Sequence, residues 1–250
     1  MNPAPYRRFP FFAWGGRAAV FLLSFAAVHC ALAGVFSVTP VRIYMTPKDR
    51  AVAVTITNDG DSPVVLQADL HLWTQTPEGA DELALTEDLI LSPPIIKLNP
   101  KARQVVRLAR LKPADASRQL IYRLILRELP EVGAPKDSGI QVPIALALSM
   151  PVFITPPPAK HEVACGASRT DAQFIAVSCA NSGSAYAQVR EILVRQGGQV
   201  VARFEGGAYI LPGARIAIPV KPERAVSSGA LQITVTFDDG KSKTFDLTVG

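Results

Sequence analysis

Runs rich in Val, Ile, Leu and Thr alternate apolar and polar positions along this chain, and turn-forming residues separate them. A period of two is that of a strand with one buried face, so the runs predict strands at 36–43, 51–58, 64–73, 95–98, 104–108, 120–128 and 140–154. Between them, Asn58-Asp59-Gly60-Asp61 is expected to supply positive-φ positions, and Leu98-Asn99-Pro100-Lys101 suits a tight turn. Pro156-Pro157-Pro158 then removes backbone donors and stiffens the chain, as a linker or domain boundary does. Beyond it the pattern resumes at 162–167, 173–180, 188–195, 199–205, 215–219, 231–237 and 243–249. No stretch keeps a long 3.6-residue period, so helices should be few. The expectation is an all-β chain of two immunoglobulin-like β-sandwich domains, at 34–156 and 157–250.

One run stands apart. Residues 139–150, GIQVPIALALSM, place large apolar side chains at Ile140, Val142, Ile144, Leu146, Leu148 and Met150, whereas Gln141, Pro143, Ala145, Ala147 and Ser149 occupy the odd positions. The even-numbered side chains therefore share one side of a strand, and the small odd-numbered face is the one left for the chain's own sandwich. Pro143 and Pro151 lie eight residues apart, so their missing donors fall on the same lateral side, and proline is confined to sheet edges. An edge strand is a pairing template. An oily one is either a core strand or a site for a partner.

Composition and charge narrow the choice. Arg7, Arg8 and Arg17, an apolar run at 18–28, and Ala31-Leu32-Ala33 before Gly34 follow the order of an export signal. The apolar run is shorter than the ~20 residues of a membrane-spanning helix. Residues 1–33 are thus expected to be a signal peptide, with the mature chain outside the cytoplasm. Their removal takes the formal charge from +5 to +2, and no lysine-rich stripe remains to suggest nucleic acid. In an oxidising compartment Cys165 and Cys179 are expected to form a disulfide. A metal or redox pair would want CxxC spacing or nearby histidines, and His161 alone is too little.

Catalytic chemistry is thin. Beyond residue 33 the only histidines are His71 and His161, and there is no Gly-x-Ser-x-Gly elbow, His-Glu-x-x-His helix or phosphate loop. Asp81-Glu82 and Asp238-Asp239 sit beside turn-like segments, where acids are ordinarily solvated. Binding is the better expectation than catalysis.

Three segments carry a resemblance: VTITNDGDSPVVLQADLHLW, LILSPPIIKLNPKARQVVRLARL and RQLIYRLILRELPE. With Thr57-Asn58, the stretch from Pro93 to Leu108, and Leu126-Arg127-Glu128-Leu129-Pro130, they resemble the periplasmic chaperones of chaperone–usher pilus assembly, the PapD-like family. The likeness spans 36–156 and continues more loosely through the second half, where Asn181, Gly183 and Tyr186 have the familiar spacing.

What the resemblance implies is specific. Two sandwiches form a boomerang, and the last strand of the first domain is lent to a pilin subunit whose own fold lacks one, a recognised mode of strand addition. Ile140, Val142, Ile144, Leu146, Leu148 and Met150 would then be the donor row. The implied partners are pilin subunits and an outer-membrane usher. No nucleotide or other cofactor is implied, and a homodimer in which free copies cap each other's strands is a further partner the edge allows.

The family also anchors the subunit's C-terminal carboxylate with two basic residues. Arg42 falls where the first is expected on the opening strand, and a guanidinium suits a carboxylate. Pro151 stands where the second, a lysine, is expected, so either another base substitutes or the anchoring is weaker; Arg123, on the strand expected beside the donor strand, is the candidate substitute, with Arg107 and Arg127 as rivals. Asp238 holds the acid position of an interdomain bridge whose usual partners fall on uncharged Thr155 and Gln119. The run Leu-Ser-Met-Pro-Val-Phe and the short loop 131–139 resemble the archaic branch, which assembles spore-coat-U-like pili. Two other classes stay open: an exported structural or adhesive immunoglobulin-like module with the strand internal, and a secreted hydrolase using a carboxylate pair such as Asp81 with Glu87.

Overall fold

A computed structural model describes residues 36–129, 145–169 and 175–249, and every element among them is a strand. The expected signal peptide and donor positions Ile140, Val142 and Ile144 lie outside the described residues.

The first half contains ten strands: β1 (Phe36–Thr39), β2 (Ile43–Met45), β3 (Ala51–Asn58), β4 (Val64–Gln75), β5 (Asp81–Leu85), β6 (Leu89–Ser92), β7 (Ile95–Leu98), β8 (Arg103–Arg110), β9 (Leu120–Glu128) and β10 (Ala147–Ile154). One sheet runs β1-β3-β8-β6, and the other runs β2-β10-β9-β4-β5, with β7 also paired to β4. Val54, Ile56, Val106 and Leu108 of the first sheet meet Leu66, Ile96, Leu124, Leu126 and Val152 of the second, and all are fully buried. β9 is apolar on both faces because both are covered, as the central strand of a packed sheet must be.

The chain changes sheets almost at once. β1 pairs antiparallel with β3, whereas β2, only three residues long, pairs parallel with the end of β10. The expected single strand 36–43 is therefore two strands, and Arg42 lies in the bend between them rather than within a strand.

Asn58 explains the Thr-Asn motif. Its buried amide donates to the carbonyls of Ser62, Leu98 and Asn99 and accepts from Gly60 N at 3.0 Å, so one side chain ties two turns together. A buried amide must find such partners. Gly60 adopts no positive φ, contrary to expectation, because the Asn58 side chain closes the turn that carries the chain from β3 in one sheet to β4 in the other; the left-handed residue is instead Lys101, at φ 59°.

The second half holds β11 (Val163–Arg169), β12 (Ile175–Asn181), β13 (Ala187–Gln196), β14 (Gln199–Ile210), β15 (Arg215–Pro222), β16 (Gly229–Phe237) and β17 (Ser242–Val249) in the order β11-β12-β15-β14-β13-β16-β17. β14 and β15 share only two residue pairs, so the sheet folds there, and β11 packs against β17 around Val189, Ile192, Val194, Ile218, Ile233 and Val235. Asn181 repeats the device of Asn58, donating to Ala185 and Ile210 carbonyls and accepting from Glu162 and Gly183 amides. A Cβ at Gly183 would collide with the backbone of Lys160 and Glu162, which is why glycine stands there.

Cys165 and Cys179 face each other across β11 and β12 and form the expected disulfide, 14 residues apart in sequence. Closing a loop of that length contributes roughly 3 kcal/mol by restricting the unfolded chain. Replacing both cysteines by alanine should lower the unfolding free energy by about that amount, read as a lower denaturant midpoint with a slope that rises as the unfolded chain expands. A midpoint that does not move would remove the disulfide from the list of stabilising features.

Candidate functional site

Among the described residues, the lateral edge of β10 is closed on one side and half open on the other. It pairs antiparallel with β9 from Ala147 opposite Arg127 to Ile154 opposite Leu120, but with β2 only from Val152 to Ile154. Glu128 N donates to Leu146 O at 2.8 Å, which fixes the even-numbered backbone groups toward β9. The odd-numbered groups point the other way, as Thr155 N confirms by donating to Met45 O at 2.8 Å. Ala147 and Ser149 therefore aim N–H and C=O at an open edge, and Pro151, without an N–H, stands where open edge gives way to paired strand.

The side chains follow the opposite arrangement to the one expected from size. The large even-numbered residues face the chain's own sandwich: Met150 is buried in its core, and Leu148 and Leu146 pack half-buried against it. The small residues Ala145, Ala147 and Ser149 are exposed on the other face. Burial thus falls along the strand toward its beginning, where the row of large side chains lies at the end of the sandwich.

Farther along, the odd-numbered face changes role. Phe153 is buried with Trp73, Ile121 and Leu211 in a cluster joining the two halves. It stacks on Tyr186 at 4.0 Å between centroids and on Tyr44 at 5.6 Å, while Trp73 meets Tyr209 edge-on at 5.1 Å. Two amide side chains bridge beside them. Gln75 donates to Tyr209 O and accepts from Leu211 N, and Gln119 accepts from Tyr186 N at 2.9 Å while donating to Thr155 Oγ1 at 2.7 Å.

Two arginines converge on Tyr209 from the first half. The Arg42 guanidinium carbon is 6.0 Å from the ring centroid and that of Arg123 is 5.7 Å. Arg123, opposite Pro151 in the register, also lies 3.6 Å from the Trp73 centroid, within cation–π range. Burial pulls its affinity for a proton down, with the charge of Asp81 opposing, yet an arginine stays protonated. Among the described residues no carboxylate comes within ion-pair distance of Arg123. A partly desolvated cation without an acid favours an incoming anion.

The rival bases are placed differently. Arg107 is exposed on the outer face of the first sheet, and Arg127 pairs with Asp69 at 2.9 Å. Asp238 finds neither Thr155 nor Gln119. It accepts from Tyr186 Oη at 3.0 Å and from Arg42 Nη1 at 3.5 Å, so the bridge between the halves is made by the expected anchor arginine itself. Tyr186 spends its one proton on Asp238, so in the 3.1 Å contact between hydroxyls Tyr44 is the donor. Asp81 bonds Gln75 at 2.9 Å, and no three side chains suited to hold a metal cluster among the described residues.

Trp73 and Tyr209 escape a motif-based reading. Trp73 had a signal: it occupies the polar phase of β4, after Gln67, Asp69 and His71, where a large aromatic residue needs something to cover it. Tyr209 had none.

Two packed sheets, a strand whose edge is half open among the described residues and two arginines gathered on Tyr209 describe a β-sandwich protein with an edge on which another strand can pair. Residues 35–160 match the family model described as pili and flagellar-assembly chaperone, PapD N-terminal domain, and the chain belongs to that family of pilus-assembly chaperones. Solved structures share its fold at low identity. The chain is similar to that of the CsuC–CsuE chaperone–tip adhesion subunit pre-assembly complex from archaic chaperone–usher Csu pili of Acinetobacter baumannii, at TM-score 0.63 and 18% identity over 86% of this chain and 99% of the other. It is similar to the E. coli chaperone DraB, at 0.54 and 17% over 87% and 97%. The Salmonella enterica SafA pilin in complex with the SafB chaperone gives 0.55 and 13% over 86% and 97%. No curated protein matches by sequence.

Burial holds the phenols of Tyr122, Tyr186 and Tyr209 above their ordinary range; Asp88 adds to this at Tyr122, Tyr44 and Asp238 add to it at Tyr186, and the two arginines oppose it at Tyr209. Raised folded-state values mean that the unfolded chain loses these protons first. Stability should therefore be intact below about pH 10 and decline above it. Tyrosinate absorbance and denaturant midpoints measured across that range should show ionisation of these phenols arriving with unfolding, not before it.

Proposed function

We propose that this protein is a periplasmic chaperone that captures pilin subunits by donor-strand complementation and passes them to an outer-membrane usher. The observation that carries the reading is the half-open edge of β10, which among the described residues is unpaired on one side up to Pro151 and paired from Val152 onward. A guest lacking one strand gains main-chain partners at Ala147 and Ser149, and its own sheet then continues the second sheet of the first sandwich. The even-numbered row fits this geometry. Leu146 and Leu148, half-buried at the end of the chaperone's core, extend into the guest's core when a second sandwich abuts the first, with Ile140, Val142 and Ile144 continuing the row in sequence.

Each such side chain contributes roughly 1.5–3 kcal/mol when its remaining surface is fully covered, less where it is already half-buried. Arg42 and Arg123 receive the subunit's terminal carboxylate in the cleft below, which sets the register of the guest. No bond is made or broken, so the role is binding and not catalysis. Solved relatives include a chaperone with a tip adhesion subunit and a chaperone with a pilin, which supports the same class of partner here. The sequence style and the likeness to a chaperone from Csu pili favour the archaic branch. The domain boundary lies at the triple proline, and the free edge suits mutual capping by two copies when no guest is present.

Co-expression with a pilin subunit followed by purification from the periplasm tests the reading. Leu146→Asp should leave the chaperone folded by circular dichroism, because the side chain is only half-buried, and should abolish recovery of the subunit. Arg42→Ala and Arg123→Ala should each reduce recovery about tenfold or more, the size expected for losing a hydrogen bond to a charge. Full recovery with all three variants would transfer the site elsewhere.

A further inference from the structure

The two cleft arginines are not equivalent. Arg123 has no acidic partner among the described residues, whereas Arg42 is engaged by Asp238 from the other half of the molecule. That engagement is slack: a single contact at 3.5 Å, at the outer limit for a hydrogen bond, from a guanidinium that has five N–H donors. Arg42 keeps 31% of its side chain exposed, against 19% for Asp238. Asp238 is the better held of the two. Its carboxylate accepts from Tyr186 Oη at 3.0 Å, its backbone N donates to Gln188 O at 3.0 Å, and Tyr186 is itself clamped by the stack on Phe153.

From this arrangement we infer that Asp238 is a built-in stand-in for the guest's terminal carboxylate, and that an arriving carboxylate competes with it for Arg42. The inference rests on the reading of Arg42 and Arg123 as the anchor. A guest carboxylate has what Asp238 lacks, a second cation in reach and freedom to meet the guanidinium face-on with two hydrogen bonds. Asp238 also has somewhere to go. A cavity of about 560 Å³ lined by Tyr44, Thr155, His161, Tyr186 and Asp239 adjoins it, and the Gln75 and Gln119 bonds hold the two halves together without the ion pair. The bridge between the halves and the capture of the guest are thus alternative uses of one side chain. Binding of a carboxylate and closure of the bridge weaken each other by the same factor, as linkage requires.

The test uses the exported protein and two N-terminally fluorescein-labelled copies of a synthetic strand-forming peptide, one ending in a free carboxylate and one in a carboxamide, with affinity read by anisotropy. The wild type should prefer the carboxylate form. Asp238→Asn removes the competitor and should tighten binding of that form by about two- to fivefold, the range for one partly exposed ion pair, without changing the carboxamide form. Asp238→Glu, which keeps the charge, should restore the wild-type ratio. If the wild type prefers the carboxylate but Asp238→Asn leaves the ratio unchanged or lowers it, Asp238 is no competitor and only the inference falls. Equal binding of both peptides by the wild type would overturn the anchor and the inference together. Thermal unfolding of each variant separates either outcome from a loss of fold.

Discussion

A three-residue strand decides how much of β10 is available. β2 covers Val152–Ile154 and stops, because the chain enters it from the other sheet through the bend that holds Arg42. Had β2 extended toward Ala147, the second sheet would have had no open position beside β10, and the row of large even-numbered side chains would have been an ordinary core row. Brevity here leaves part of a neighbouring edge open, whereas edge-shortening elsewhere protects against pairing. The difference is that this edge is left usable over a few residues and terminated by a proline, which limits how far any added strand can run.

The same strand divides its faces by position. At Ala145, Ala147 and Ser149 the odd face is small and exposed, which keeps the open segment free of a second apolar surface. From Pro151 onward that face is buried, and Phe153 becomes the centre of the stack with Tyr44 and Tyr186 that joins the two halves. Burying aromatic surface at this point stabilises the joint where the strand is fully paired. The segment with the open edge is left at the unpaired end. Rigidity and availability are thus separated along eight residues instead of being compromised in each.

Most of the strands were legible because a half-buried strand writes its period into the sequence; β3, β7 and β9 fall where the alternation puts them. β5 and β6 were not legible. Asp81–Leu85 is an edge hairpin arm with every residue exposed, so no burial pattern exists to read, and in Leu89–Ser92 the exposed Ile90 is as apolar as the buried Leu89 and Leu91, so the alternation does not show in the residue types. The orientation of β10 misled for another reason. Large side chains suggested the guest's core and small ones the chain's own, but a strand at the end of a sandwich sends its large row toward its own core and, past the last covering residue, into whatever abuts it. Arg123 was legible only as a base on the strand expected beside β10; its register opposite Pro151 was not, because register depends on the turn and on which face is buried. Its cation–π contacts with Trp73 and Tyr209 were not, because they depend on how the second half packs.

The least legible feature is the identity of Arg42's partner, and it follows from two uncharged substitutes. Where charged partners for Asp238 were expected, this chain has Gln119 and Thr155, which satisfy each other and the backbone of Tyr186. Asp238 is then a partly buried carboxylate with one phenolic donor and no cation among its expected neighbours. A buried charge demands a partner. The nearest available cation is Arg42, because the sheet-switching bend delivers it to the same cleft. With uncharged side chains at those two positions, Arg42 is the cation that meets Asp238, and the contact between the halves runs through the bend that separates β1 from β2.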